Sequence, residues 1–228
     1  MEVHSMKTFH DLLYKEGNPF IKDMFKYGDR DALQLYGFWA AAGALGNIYE
    51  EYSRIFGLCR LLGGMNVYDI GCGWNYQACL LLHRYDMTYT GIDADEHFDY
   101  DRMNGVFAES RGNRIKFFCA HYPCPLTILP GNAAIARRWR YRRGSLPNLK
   151  RFAASIAKDF DRLITTWYYE EYDREDMLKF WEEAMPGFRA VPLGDEELVL
   201  VTKIPDDFAK MEEVNYKYGN SAFAIRPH

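Results

Sequence analysis

The sequence predicts an α/β fold: a doubly wound, mostly parallel sheet with helices on both faces. Three observations predict it. Short apolar runs alternate with amphipathic stretches through the middle of the chain. The first such run ends in a side-chain-poor turn, Asp69-Ile70-Gly71-Cys72-Gly73-Trp74-Asn75. The next ends in Gly91-Ile92-Asp93, an acid at the close of a β-rich run.

The elements follow in order. Asp29 or Asp31 is placed to cap a helix through the apolar run 32–44, and Gly46-Asn47 reads as a break. A second helix is expected over 48–62, where Ile48, Tyr52, Ile55, Phe56, Cys59 and Leu62 recur at helical spacing before Gly63-Gly64. Residues 1–62 thus read as a helical N-terminal cover. Strands are expected at 65–70, 88–92, 115–119 and, as the fourth, 162–166. Helices are expected at 72–85, 99–111, 152–160 and 173–185, the last carrying Met177, Phe180, Trp181 and Ala184 on one face. Runs 188–193 and 197–204, joined through Gly194-Asp195-Glu196, read as a C-terminal antiparallel hairpin. The main α/β domain spans 63–204, and no element is assigned to 205–228.

Composition sets the class. With 228 residues, 48% hydrophobic and 26% charged, the chain can bury one substantial core and does not resemble a disordered segment. The first twenty residues carry Glu2, Asp11 and Glu16 and no continuous apolar run, and no stretch approaches the roughly 20 apolar residues of a membrane span. The five cysteines form no CxxC pair, so reduced thiols in a cytoplasmic protein are expected. Cys119, His121 and Cys124 lie close together, but no second cluster completes a tetrahedral zinc set, and no metal is expected.

Charge is unevenly spread. The window 110–158 holds eleven of the 28 Lys and Arg and none of the 32 Asp and Glu. Within it, 122–150 reads as a basic insertion after the third strand, opening with Pro123, Pro125 and Pro130 and containing Arg137-Arg138-Trp139-Arg140-Tyr141-Arg142-Arg143. Arginine forks pair with phosphate and interleaved rings stack on bases. Arg137, Arg138 and Arg140 are therefore candidates for a phosphorylated substrate, and nucleic acid is a possible partner. The same run could instead be a solvated face that neutralises Glu170, Glu171, Asp173, Glu175 and Asp176.

Glycines after a strand let the backbone turn sharply and a ligand approach closely. A carboxylate ending the neighbouring strand can accept both hydroxyls of a ribose. On these residues the chain resembles the class I S-adenosylmethionine-dependent methyltransferase superfamily, over about 48–169. The resemblance rests on Asp69, Gly71, Gly73 and Asp93, and implies that all four belong to the cofactor-binding residues. It implies S-adenosylmethionine as cofactor, with the turn (Gly71, Cys72, Gly73, Asn75) at its methionine part. It further implies Asp93 on the ribose, and Ala94 and Ala120 near the adenine. The place after the fourth strand, read as Trp167-Tyr168-Tyr169-Glu170, would face the methyl group. Tyr168, Glu170 and His121 are candidates for shaping the acceptor site or taking a proton, and Trp167 for substrate contact.

The sequence departs from the family's pattern in several places. Asn75 holds the third glycine position, Cys119-Ala120-His121 replaces a small acidic motif, and the NPPY-type signature is absent. The hairpin leaves little room for a separate fifth strand, so either 188–193 is that strand or the sheet is shortened. The expected function is methyl transfer to a small-molecule or phosphorylated acceptor. The alternatives are a non-catalytic cofactor-binding module of the same fold and a nicotinamide-dependent oxidoreductase. Against the last, Tyr76 fills the sixth position of a GxGxxG fingerprint, where a side chain would part helix from sheet.

Overall fold

The computed structural model describes residues 44–72, 87–94, 96, 100–101, 104, 114–136, 146–166, 174–193 and 198–218. The expected cover over 1–43, the helix at 72–85 beyond Cys72, most of the helix at 99–111, the arginine run and residues 167–173 lie outside them.

Helix α1 spans Ala44–Leu61 and runs through Gly46-Asn47, where the sequence suggested a break. Packing decides this. Tyr52, Ile55, Phe56 and Cys59 fall on one face and are fully buried, and such tertiary contact outweighs the roughly 1 kcal/mol that one glycine costs a helix. The helix ends at Gly63, whose φ of 72° favours glycine. Gly64 N–H donates to the Cys59 carbonyl (2.7 Å) and Gly63 N–H to that of Arg60 (3.0 Å), the paired bonds of a Schellman stop.

The sheet has seven strands: β1 Asn66–Ile70, β2 Thr88–Asp93, β3 Ile115–Cys119, β4 Asn132–Ala136, β5 Arg162–Thr166, β6 Arg189–Pro192 and β7 Leu198–Thr202. Their spatial order is β3-β2-β1-β4-β5-β7-β6. The first five pair in parallel, and β7 pairs antiparallel with both β5 and β6. The hairpin is as the sequence predicts.

One strand was not foreseen. Asn132–Ala136 lies within the interval read as a basic insertion and sits at the centre of the sheet, between β1 and β5. Its Asn-Ala-Ala-Ile-Ala composition holds one β-branched residue, Ile135, and no aromatic, a weak strand signal. It is small because it is covered on both faces: Ala133, Ala134, Ile135 and Ala136 are all fully buried. The 162–166 run is therefore the fifth strand, and the sheet is not shortened.

The path from β3 to β4 contains no helix. From Ala120 to Leu129 the residues alternate between half-buried and exposed, an extended pattern that Pro123 and Pro125 favour. Ala120, Tyr122, Cys124, Leu126 and Ile128 turn inward onto the core. The Tyr68 hydroxyl pins this strap by donating to the Thr127 carbonyl (3.0 Å) and accepting from Leu129 N–H (3.0 Å).

Two helices share this face. α2, Leu146–Asp159, starts six residues before the expected 152 and buries Leu149, Phe152, Ala153 and Ile156. α3, Arg174–Ala184, buries Met177 and Trp181. On the opposite face α1 packs with Met211 of α4, Pro205–Tyr218, a helix in the stretch left unassigned. Pro205 at its first position suits a helix start. It is fixed by a buried pair: Arg162 Nε donates to Asp207 Oδ2 (2.7 Å) and Nη2 to Oδ1 (3.0 Å), while Nη2 also reaches the Leu62 carbonyl (2.8 Å). Thr202 Oγ1 adds a bond to Asp207 Oδ2 (2.7 Å). No helix of the described residues is long and apolar enough to cross a membrane.

Candidate active site

The parallel strands end on one edge. Ile70 pairs with Ile92, Asp93 with Cys119, and Ala136 with Thr165. The order of strands reverses between β1 and β4, which makes the crevice between their carboxyl ends the expected ligand site of such a sheet.

The turn after β1 is built for that place. Gly71 takes a φ of 75°, a conformation that L side chains strain to adopt, and it is exposed. Its N–H donates to the Ile92 carbonyl (2.7 Å), as does that of Cys72 (3.2 Å). The turn is thereby fastened to the end of β2. Beneath it the packing is tight. A Cβ added at Gly91 would lie 2.7 Å from Phe117 Cδ1 and 2.9 Å from Cys72 Sγ. Gly91 is what lets the buried Cys72 side chain and the Phe117 ring meet there.

Asp93 closes β2 half-exposed, with Ala94 beside it. Its carbonyl accepts from Ala120 N–H (2.9 Å) and from the Tyr100 hydroxyl (3.3 Å). These bonds bring Asp93, Ala94 and Ala120 together on the edge that carries Gly71. His121 follows, exposed. Phe117 is held in turn by Asn104, whose Oδ1 accepts its N–H (2.7 Å) and whose Nδ2 donates to its carbonyl (2.8 Å).

Asp69, a cofactor-binding candidate from the resemblance, stands one residue before the last of its strand and lies beneath the turn. It is 1% exposed, and its Oδ2 accepts from the hydroxyls of Tyr52 (2.5 Å) and Tyr89 (2.8 Å). It has a packing role under the turn. Neither tyrosine was singled out for function from the sequence. The available signal was chemical: a buried tyrosine hydroxyl and a buried carboxylate each need a partner.

Of the other sequence candidates, Gly73, Asn75, Arg137, Arg138, Arg140, Trp167, Tyr168 and Glu170 lie outside the described residues. The strand count moves their places, however. β4 ends at Ala136, so in sequence the arginine run follows the fourth strand, and Trp167, Tyr168 and Glu170 follow the fifth strand rather than the fourth. Among the described residues no group of three His, Cys, Asp or Glu is placed to hold a metal ion. Cys119 is exposed, and the Cys124 thiol is pushed up by burial and by the nearby Asp159 carboxylate.

Comparison with protein-family models and with curated proteins finds no match. Comparison with solved structures does. The chain is similar to the 1,6-didemethyltoxoflavin-N1-methyltransferase of Burkholderia thailandensis, solved with 1,6-didemethyltoxoflavin and S-adenosylhomocysteine bound. The TM-score is 0.52 at 13% identity, over 89% of this chain and 90% of that one. It is also similar to the methyltransferase domain of bacterial CtHen1 (TM-score 0.51, 15% identity, 68% of this chain and 97% of that one). The fold is that of the class I methyltransferases. At these identities the likeness is one of architecture. The sheet of this chain, with its antiparallel β5-β7-β6 edge, matches the Rossmann-like methyltransferase fold.

Proposed function

We propose that this chain is an S-adenosylmethionine-dependent methyltransferase acting on a small-molecule or phosphorylated acceptor. One observation carries the reading: a left-handed glycine turn and a half-exposed strand-end acid, Gly71 and Asp93, stand side by side at the reversal edge of a methyltransferase fold.

Among the described residues, the amides of the turn suit this cofactor better than a dinucleotide. A pyrophosphate seeks free N–H groups at the turn. Gly71 and Cys72 N–H are both committed to the Ile92 carbonyl. S-adenosylmethionine carries an ammonium and a sulfonium, which seek oxygen acceptors instead. In this reading Asp93 accepts the two ribose hydroxyls, Ala94 and Ala120 border the adenine, and the turn from Gly71 through Cys72, Gly73 and Asn75 faces the methionine part. Bound, the cofactor supplies an activated methyl group. The chain's residues orient it toward the acceptor and exclude water, which is where an in-line displacement gains most of its rate.

The acceptor side is assigned to the crevice beyond β4. Arg137, Arg138 and Arg140 leave that strand in sequence and suit a phosphate on the acceptor, or a nucleic acid, with Trp139 and Tyr141 as stacking surfaces. Trp167 borders the acceptor, and Tyr168, Glu170 or His121 takes its proton where the acceptor is a hydroxyl. The described cysteines, Cys59, Cys72, Cys119 and Cys124, are free thiols.

The test is a labelled-methyl transfer screen over phosphorylated metabolites, their dephosphorylated forms and oligonucleotides, at two salt concentrations. Transfer that prefers the phosphorylated member and weakens with salt is the expected result. In the variant with Arg137, Arg138 and Arg140 changed to Gln, acceptor affinity should fall while cofactor affinity stays. Equal transfer to both forms would leave the arginines as a solvated face.

A further inference from the structure

We infer that Tyr52 is a positioning residue for the cofactor turn, linking the N-terminal helix to the site through Asp69; the inference rests on the cofactor reading above. Tyr52 lies on α1, Asp69 on β1 and Tyr89 on β2. All three are buried, and both hydroxyls converge on the same carboxylate oxygen, at 2.5 and 2.8 Å. Asp69 stands two residues before Gly71, the residue whose N–H anchors the turn to Ile92.

The rings continue this support beneath the turn. Tyr52 packs on Phe56 (5.6 Å between centroids), Phe56 on Tyr89 (6.4 Å, edge-on) and Tyr89 on Phe117 (5.7 Å). Phe117 in turn fills the space over Gly91 beside Cys72. The helix is therefore coupled to the turn twice, by hydroxyl and by ring. A carboxylate in the sheet interior that loses a donor turns toward another rotamer or admits water. Either response moves the backbone that leads into Gly71. The hydroxyl sets the position of the turn, while the ring supplies most of the packing.

Tyr52→Phe separates the two, because it keeps the ring. The control is Tyr68→Phe, which removes a buried hydroxyl bond on the other face, at the strap. Amide hydrogen exchange of Gly71 and Cys72 is followed by NMR in the ligand-free full chain, and S-adenosylmethionine affinity by calorimetry. In Tyr52→Phe the exchange at these two amides should rise several-fold and the Kd about fivefold, the scale of one lost hydrogen bond. In Tyr68→Phe, at comparable loss of Tm, neither should move. Equal effects in the two variants, or no effect in Tyr52→Phe, would overturn the inference. If the wild-type chain bound no S-adenosylmethionine, the functional reading would fail, and the exchange measurement would still decide whether Tyr52 positions the turn.

Discussion

The N–H of Gly71 donates to the carbonyl of Ile92 over 2.7 Å, binding the turn after the first strand to the end of the second. Asp93 is the residue after Ile92, so the bond also fixes where its carboxylate stands relative to the turn. Replacing Asp93 with Ala should therefore weaken S-adenosylmethionine binding more than tenfold, at least about 1.4 kcal/mol, with little change in Tm. Calorimetry on both proteins checks this, and unchanged affinity would remove Asp93 from the ribose.

Gly91 makes a second prediction, because it lies under the same turn. The side chain of Gly91→Ala would meet Phe117 and Cys72 at under 3 Å. Overpacking of this kind costs about 1–3 kcal/mol. The variant should unfold at lower urea and bind cofactor more weakly, since Cys72 must shift. A variant as stable as the parent would show that the packing there has slack.

The Arg162–Asp207 pair lies at the other end of the sheet, where β5 begins, and should act on stability alone. Asp207→Ala leaves a guanidinium 5% exposed without its carboxylate, and such a loss costs about 3–5 kcal/mol. Urea unfolding should show that drop. Cofactor affinity, measured where the variant is still folded, should match the wild type.

Cys59 predicts a dependence on pH. Burial pushes its thiol from 9.0 up to about 12, against a smaller opposite pull from Arg162. In the unfolded chain it ionises near 9, whereas in the folded one it stays neutral, so its contribution is complete below pH 9 and is lost as the pH rises toward 12. Between pH 9 and 11 the unfolding free energy of the wild type should fall more steeply than that of Cys59→Ala, by at most about 1.4 kcal/mol per pH unit. Parallel slopes would mean that the thiol ionises equally in both states.

How much of this was legible in the sequence depends on the residue. β1, β2, β3 and the hairpin announce themselves by apolar runs and turns, and the strand-end edge with Gly71 and Asp93 follows from them. β4 does not, because a strand covered on both faces in a crowded centre needs small residues, and in Asn132-Ala-Ala-Ile-Ala136 only Ile135 favours a strand. Missing it displaced the fourth-strand position from Ala136 to Thr166 and made an insertion of a crossover. The extended strap concealed the strand further, since no helix marks the passage from β3. The partners of Asp69 are not legible in the sequence, because Tyr52 and Tyr89 come from other elements and meet it only on folding. Helix α4 escaped for the same reason. What holds it is Asp207 meeting Arg162, 45 residues away.

Calorimetric titration of the wild-type chain with S-adenosylmethionine and, separately, with NAD is the most direct test. One site per chain for the sulfonium nucleoside, at a Kd well below millimolar and without a matching signal from NAD, is the predicted result. Silence with the first ligand at millimolar concentration, or saturable binding of the second, would contradict the account.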